Sequence, residues 1–181
     1  MTTKTPIITI RTTASSPPWS PAMLSHPIMA FMHAYTAAWC ETNAAHSQPP
    51  NTWLTTDFEL GAHDGRRLTG CEVGAKAFIQ SLALYESSTV EIDSVYIEET
   101  GDGYQGLAMG RVFAKFRGGD VEGEKVVDSK GREWDISVPR AYDCAFVKDE
   151  EGPVEGLKLK RMLVCGDMHP VVKEAKKRGL V

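Results

Sequence analysis

The stretch TVEIDSVYIEETGDGYQGLAMGRVFAKF, residues 89–116, decides the fold class of this 181-residue chain. Apolar and polar residues alternate from Thr89 to Glu98, and β-branched residues are frequent there, which is typical of a half-buried strand. Gly101-Asp102-Gly103 predicts a turn, and Tyr104 to Phe116 predicts a second long strand. The stretch therefore predicts an antiparallel hairpin.

Two further strands are predicted on the C-terminal side of this hairpin. Arg132 to Val147 is long and rich in apolar residues, with Pro139 as a bulge or kink. Gly156 to Cys165 follows after a turn at residues 149–152. Residues 117–130 are charged and glycine-rich with no apolar face, so we expect an exposed loop there.

Helical patterns lie on the N-terminal side of the hairpin. The first begins near Ser25 and Pro27, a cap residue followed by a first-turn proline. Its apolar face, at helical spacing, consists of Ile28, Phe31, Met32, Tyr35 and Trp39. A second helix is predicted over Cys71 to Tyr85, after a short strand from Trp53 to Leu60.

The order of these elements predicts an α+β protein rather than a parallel α/β sheet, because the strands follow the helices in one run. A long curved antiparallel or mixed sheet with helices on its concave side would enclose a pocket. We expect residues 25–181 to form one domain that ends in a basic helical tail. Residues 1–24 are rich in Thr, Ser and Pro and predict a flexible arm, in which Trp19 packs onto its own domain or onto a partner subunit.

Composition excludes several classes of function. The chain is 42% hydrophobic and 24% charged, with a net charge of -4, so there is no basic excess for nucleic-acid binding. No apolar run approaches the roughly 20 residues that a membrane span requires. The expected partner is therefore a small apolar molecule, without nucleic acid or membrane.

The four cysteines, Cys40, Cys71, Cys144 and Cys165, are scattered, with no C-x-x-C pair and no Cys/His cluster at zinc spacing. We expect free thiols in the cytoplasm and no metal site. The N-terminal residues contain only the short apolar patch Ile7-Ile8-Thr9-Ile10, so we do not expect secretion, although they weakly resemble a mitochondrial transit peptide. No phosphate loop or Ser/His/Asp motif is present, so no cofactor is expected.

The segment WLTTDFELGAHDGRRLTGCEVGAKAFIQSL, residues 53–82, together with the order of elements, resembles the NTF2-like superfamily over about residues 27 to 168. This cone-shaped fold is shared by ketosteroid isomerases, scytalone dehydratases and SnoaL-type polyketide cyclases. The resemblance implies a cofactor-free acid–base enzyme, an isomerase or lyase. Its substrate would be an apolar polycyclic, polyketide or terpenoid-type secondary metabolite.

The resemblance to ketosteroid isomerases also implies catalytic residues. Tyr35 in AYTAAW and Asp143 in AYDCAF match the positions that hydrogen-bond the substrate oxygen in that family. The family's proton-moving carboxylate has no match here, and counting along the chain places Ala62 or His63 there. We expect His63 to move the proton, with Asp64 or Asp57 as the alternatives. The paired pocket histidines of scytalone dehydratases have no match on the strands.

Each catalytic candidate also has a purely structural interpretation. Tyr35 could be a core residue whose hydroxyl finds a backbone partner, and His63 could lie exposed in its loop. A buried Asp143 requires a cationic partner unless it is functional. Its candidate partners are Arg111, Lys160 and Arg161. The seven residues predicted to bind substrate are Trp39, Trp53, Asp57, Phe78, Leu82, Arg111 and Met162.

The sequence is compatible with two functions. A buried Asp143 within hydrogen-bond reach of Tyr35 would favour the enzyme. A salt-bridged Asp143, or a filled pocket, would favour a non-catalytic ligand-binding or dimerising module. The strand from Tyr104 to Phe116 has apolar residues on both faces, so we also expect a homodimer formed through the outer face of the sheet.

Overall fold

The computed structural model describes residues 7–12, 17–62, 64–118 and 123–181. These residues form a mixed α+β protein with a seven-stranded curved sheet that is not closed into a barrel. The α-helices are Pro21–Leu24 (α1), Pro27–Thr36 (α2), Cys71–Leu82 (α3) and His169–Lys177 (α4). The strands are Ile7–Arg11 (β1), Leu54–Gly61 (β2), Arg67–Thr69 (β3), Tyr85–Glu99 (β4), Gly103–Phe116 (β5), Val126–Val127 (β6), Glu133–Trp134 (β7), Ile136–Lys148 (β8) and Leu157–Cys165 (β9). The predicted fold class is confirmed.

The sheet has the strand order β1-β4-β5-β8-β9-β2-β3. Neighbouring strands are antiparallel except for β2 and β9, which are parallel. The register between β4 and β5 shifts between Ile92 and Ser94, where Gly110 of β5 faces Ile92. A Cβ on Gly110 would lie 2.1 Å from the Glu91 carbonyl oxygen, so no side chain fits. Bulges bend a sheet, and this one contributes to the concave face.

Helix α2 covers the concave face with its apolar side. Ile28 and Phe31 are almost completely buried there. The helix begins after His26, whose Nδ1 accepts a hydrogen bond from the Ile28 N–H at 3.3 Å, and not after the predicted cap Ser25. A π-helix of five residues, Ala37–Glu41, continues α2 and buries Trp39.

The N-terminal residues contain more regular structure than predicted. Strand β1 pairs antiparallel with β4, from Ile7 opposite Glu98 to Arg11 opposite Ser94. Helix α1 begins at Pro21, because proline suits a first helical turn and does not forbid it. Trp19 packs onto its own domain, where its Nε1–H donates to the Val90 carbonyl at 3.0 Å. The division of the chain at residue 24 stays a prediction.

Two other boundaries differ from expectation. The second helix ends at Leu82 and not at Tyr85, which begins β4. The predicted loop over residues 117–130 contains part of the small hairpin β6–β7. Asp128 stabilises this hairpin by accepting hydrogen bonds from the Arg132 N–H and from Trp134 Nε1–H.

Helix α4 is a packed tail. Val171 and Ala175 are completely buried against Phe116 and Val138 of the sheet, while its basic residues face outward. No helix in the described ranges is long and apolar enough to cross a membrane.

Candidate functional site

A cavity of about 800 Å³ lies between the concave face of the sheet and the helices α2 and α3. This volume is within the range of about 300–1,000 Å³ that is usual for small-molecule sites. Most of its lining is apolar. The apolar residues include Phe31, Met32, Phe78, Leu82, Val90, Val112, Phe146, Leu159, Met162 and Val164. The cavity therefore suits an apolar small molecule.

Three phenols interrupt this apolar lining: Tyr35 on α2, Tyr85 at the start of β4 and Tyr142 on β8. None of them forms a hydrogen bond to another residue that the structure describes. Burial raises the pKa of all three hydroxyls, and the charge of Arg140 partly opposes this rise at Tyr85 and Tyr142. The phenols are therefore protonated at neutral pH and can each donate a hydrogen bond to a ligand.

Neighbouring rings hold Tyr35 in place. Phe31 and Trp39 lie one helical turn away on either side, with ring centroids at 6.0 and 5.5 Å from that of Tyr35. Trp53 packs edge-on against the same ring at 5.9 Å. Trp39 and Trp53 thus support Tyr35 and do not themselves line the cavity.

The thiols of Cys40 and Cys144 also line the cavity. Burial raises the pKa of each to about 12, and at Cys40 a hydrogen bond with Ser88 opposes the rise. Both remain thiols at neutral pH and are poor nucleophiles. Tyr35 and Tyr142 line the same cavity as the two thiols.

A buried cation lines the cavity beside these groups. Arg140 of β8 is only 8% exposed. Its Nη1 donates to the carbonyl oxygens of Pro139 and Asp167, at 3.0 and 2.9 Å. Its Nη2 lies 2.9 Å from Sδ of Met168. No carboxylate contacts Arg140 within the described residues.

The cavity is rich in donors and poor in acids. Among its lining residues that the structure describes, none is Asp, Glu or His. His63 follows Ala62, which lines the cavity, but His63 itself lies outside the described residues. The described chain also contains no cluster of three or more His, Cys, Asp or Glu side chains that could hold a metal ion.

Four of the residues predicted for the site line the cavity: Tyr35, Phe78, Leu82 and Met162. Asp57 is exposed and does not line it. Arg111 is exposed, and its Nε–H donates to Ser137 Oγ at 2.8 Å. The alternative base Asp64 forms a surface ion pair with Arg66 at 2.6 Å.

Asp143 requires a correction, because it does not open into the cavity. Successive side chains of a strand point to opposite faces, and Tyr142 and Cys144 on either side of Asp143 both line the cavity. Asp143 lies on the outer face of the sheet, where it accepts a hydrogen bond from Arg161 Nη2 at 2.9 Å. Tyr142 therefore occupies the position that the sequence had assigned to Asp143.

The sequence analysis missed Tyr85, Arg140 and Tyr142. Arg140 had a usable signal, because a charged residue among apolar neighbours of a predicted strand is the same pattern that singled out Asp143. Tyr142 is adjacent to the residue that was chosen. Tyr85 had no signal, since it was placed at the end of a helix.

No protein-family model matches the sequence, and no curated protein matches it. Solved structures do match. A candidate dehydratase of the NTF2-like family from Streptomyces avermitilis has a TM-score of 0.58 at 14% identity, with coverage of 82% of this chain and 99% of the other. A candidate scytalone dehydratase from Novosphingobium aromaticivorans has a TM-score of 0.58 at 12% identity, covering 78% of this chain and 83% of the other.

A third similar structure is a protein with a ketosteroid isomerase-like fold from Catenulispora acidiphila, solved in complex with trimethylamine. Its TM-score is 0.50 at 18% identity, and the match covers 83% of this chain and 93% of the other. These likenesses show that the chain has the NTF2-like fold, as the sequence predicted.

Proposed function

We propose that this protein is a cofactor-free enzyme that binds an apolar polycyclic, polyketide or terpenoid-type metabolite and catalyses its isomerisation, cyclisation or dehydration. The observation that carries the proposal is the placement of neutral phenols without protein partners in a large apolar cavity. Such donors stabilise negative charge on a substrate oxygen much better in a dry site than in water.

The proposed step is the removal of a proton from carbon next to a substrate carbonyl. The C–H electron pair moves into the C=O group, and the oxygen becomes an enolate that accepts hydrogen bonds from Tyr35 and Tyr142. Return of the proton from the base to another carbon of the conjugated system gives an isomer. Transfer of that proton instead to a β-hydroxyl, which leaves as water while the enolate pair forms a C=C bond, gives dehydration. Attack of the enolate carbon on a second carbonyl of the substrate gives cyclisation.

His63 is the proposed base. It follows Ala62 of the cavity lining, and a histidine has the near-neutral pKa that proton transfer at physiological pH requires. Tyr142 replaces Asp143 as the second donor in this proposal, because Asp143 is held by Arg161 on the outer face.

Deuterium exchange tests the proton transfer without knowledge of the natural substrate. The protein is incubated with 2-tetralone in D₂O, and incorporation is followed by mass spectrometry. We expect exchange above the uncatalysed rate, with Tyr35→Phe and Tyr142→Phe each slower by about 10- to 1000-fold. His63→Ala should be slower by about 100- to 10,000-fold.

The matched control is Tyr96→Phe, which removes a phenol whose oxygen accepts a hydrogen bond from Arg11 Nη2 at 3.1 Å outside the cavity. This variant should exchange at the parent rate. If Tyr35→Phe and Tyr142→Phe also exchange at the parent rate, the two phenols are structural and the proposed site is wrong.

A non-catalytic ligand-binding module is the alternative function, and two observations favour it. Asp143 is salt-bridged to Arg161, and no Asp, Glu or His lines the cavity among the described residues. A binding module would bind 2-tetralone without exchanging its protons. Saturable binding by calorimetry with no exchange above background would therefore select this alternative.

We also propose a homodimer formed through the outer face of the sheet. Leu107 and Met109 of β5 are 46% and 40% exposed on that face, and Leu107 lies directly opposite Asp143 of β8. Sedimentation equilibrium at micromolar concentration should give twice the chain mass. Leu107→Glu with Met109→Glu should give the monomer mass, and a monomeric parent would contradict the proposal.

The cytoplasm is the proposed compartment. All four cysteines are free, including the exposed Cys165, which is usual where glutathione keeps thiols reduced. Cell fractionation of a tagged chain would test this assignment, and recovery from an oxidising compartment would overturn it.

A further inference from the structure

The Arg140 guanidinium is a charged group of the cavity that the proposed acid–base chemistry leaves unused. It lies on β8 two residues before Tyr142, so both side chains project from the same face of the strand into the cavity. Burying a cation is energetically costly unless an anion or several acceptors compensate it. The described lining supplies no Asp or Glu for this purpose.

The hydrogen bonds of Arg140 occupy only one side of its guanidinium. Nη1 donates to the carbonyl oxygens of Pro139 and Asp167. Among the described residues, the hydrogen-bond partner of Nη2 is the thioether of Met168 at 2.9 Å, and sulfur is a weak acceptor. Nε has no partner among the residues that the structure describes. The Nε and Nη2 edge, which binds carboxylates in a two-pronged manner, thus has no oxygen acceptor.

The surroundings of this edge also suit an anion. Tyr85 and Tyr142 line the same cavity as Arg140, and Tyr142 follows Arg140 by two residues on the same face of β8. An anion bound there could accept hydrogen bonds from the Arg140 guanidinium and from the neutral phenol hydroxyls. The rest of the cavity is apolar and would hold the remainder of the ligand.

We propose that Arg140 binds the carboxylate of an apolar carboxylic acid, with Nε and Nη2 each donating to one carboxylate oxygen and the Met168 thioether displaced. This inference deepens the proposed function by naming the chemical class of the ligand. The inference rests on the proposed function in one respect, which is that a ligand must be able to enter the cavity. The acid group is fixed at Arg140, which leaves the ligand carbonyl free to face Tyr35.

A displacement assay with two isosteric probes tests the inference. The uncharged dye N-phenyl-1-naphthylamine reports occupancy of the cavity, and biphenyl-4-carboxylate and biphenyl-4-carboxamide compete with it at pH 7. The two competitors have the same size and shape and differ in charge. We expect the carboxylate to bind the parent about 10- to 100-fold more tightly, the gain typical of charge-assisted hydrogen bonds.

Variants distinguish two-pronged binding by the Arg140 guanidinium from simple attraction to a positive charge. Arg140→Gln should reduce the carboxylate preference to less than about 3-fold while leaving the affinity for the dye unchanged, which also shows that the variant folds. Arg140→Lys keeps the charge without the two-pronged geometry and should retain an intermediate preference. Arg111→Gln removes an exposed arginine outside the cavity and should keep the full preference.

The possible failures are distinguishable. If neither the dye nor the competitors bind the parent, the cavity does not admit ligands, and the proposed function fails together with this inference. If the dye binds but carboxylate and carboxamide compete equally, the Arg140 assignment alone is wrong. The assignment is equally wrong if Arg140→Gln lowers the affinities of both competitors by the same factor.

Discussion

Arg140 and Arg178 are both buried arginines, but their surroundings are opposite. Arg178 is 3% exposed by its side chain and is paired with Asp135 at 3.2 Å and Glu174 at 3.1 Å. Its guanidinium also lies 5.2 Å from the ring centroid of Phe116. The hydrogen-bond partners of the Arg140 guanidinium are two backbone carbonyls and a thioether. The comparison shows that this fold can neutralise a buried arginine completely, and does so beneath α4 but not at the cavity.

We call the group of Phe116, Asp135, Glu174 and Arg178 the C-terminal seam, and the group of Tyr35, Tyr85, Arg140 and Tyr142 the cavity wall. The seam contains both charge signs in contact, so it needs nothing from outside the chain. The described cavity wall contains a cation and neutral donors without an anion. This difference is what is expected when one site supports the fold and the other receives a ligand.

The largest expected effect comes from making the same substitution at both arginines. Arg178→Met removes the buried cation shared by Asp135 and Glu174, which keep Lys125 and Lys177 as cationic partners, and should cost about 2–3 kcal/mol of unfolding free energy. Arg140→Met leaves only two carbonyls without their donor and should cost about 1 kcal/mol. Urea unfolding measures both. Equal losses would mean that the two environments do not differ in the way described.

The second-largest expected difference between the two sites is in how acidic pH changes the free energy of unfolding. Burial alone would raise the pKa of Asp135, but hydrogen bonds from Lys125 and the Phe116 N–H and the charge of Arg178 hold it below the ordinary value. Its contribution to stability is therefore present above about pH 4 and is lost as the pH falls through the lowered pKa. Unfolding free energies between pH 5 and pH 3 should fall more steeply for the parent than for Asp135→Asn.

Alkaline pH affects the two thiols that line the cavity, Cys40 and Cys144. The pKa of Cys40 and of Cys144 is raised by burial to about 12, so the unfolded chain loses these protons first as the pH rises above about 9. The contribution of the two thiols to the free energy of unfolding is present below about pH 9. Above that pH the free energy of unfolding falls by at most about 1.4 kcal/mol per pH unit for each thiol. Cys40→Ala with Cys144→Ala, measured under reducing conditions, should flatten this fall. An unchanged alkaline slope would contradict the assignment.

The smallest effect is expected for Asp143, the neighbour of Tyr142 on the outer face. Asp143→Ala breaks a partly exposed ion pair with Arg161, which is worth about 0–1 kcal/mol. Deuterium exchange into 2-tetralone should stay at the parent rate, in contrast to Tyr142→Phe. A large loss of exchange in Asp143→Ala would restore the role that the sequence predicted for this carboxylate.

The sequence predicted the fold class and the long strands because alternation and helical spacing are local properties. The same spacing identified Tyr35, since its neighbours one turn away are aromatic and buried. The partner of β1 was not predictable, because the pairing of Ile7 with Glu98 joins distant parts of the chain. The volume of the cavity depends on how α2 and α3 sit on the sheet, which no local pattern reveals.

The error at Asp143 has a definite physical cause. The segment AYDCAF has apolar or aromatic residues on both faces of the strand, so alternation alone does not say which face is inward. The choice of face is fixed by pairing with β5 and β9, where Asp143 lies opposite Leu107 and Leu163. A shift by one residue exchanges every inward and outward side chain.

The parallel pairing of β2 with β9 also has a consequence for how quickly the chain folds. Leu54 lies beside Leu159, more than 100 residues later in the sequence, whereas β4 and β5 are joined by a turn and β5 and β8 by a much shorter segment than this. Closing such a long loop costs entropy before the contact stabilises anything. The antiparallel strands β4, β5 and β8 should therefore assemble first. In a variant whose other tryptophans, Trp19, Trp39 and Trp134, are replaced by phenylalanine, the stopped-flow fluorescence of Trp53, just before β2, should change in the slowest phase, on a timescale of about milliseconds to seconds.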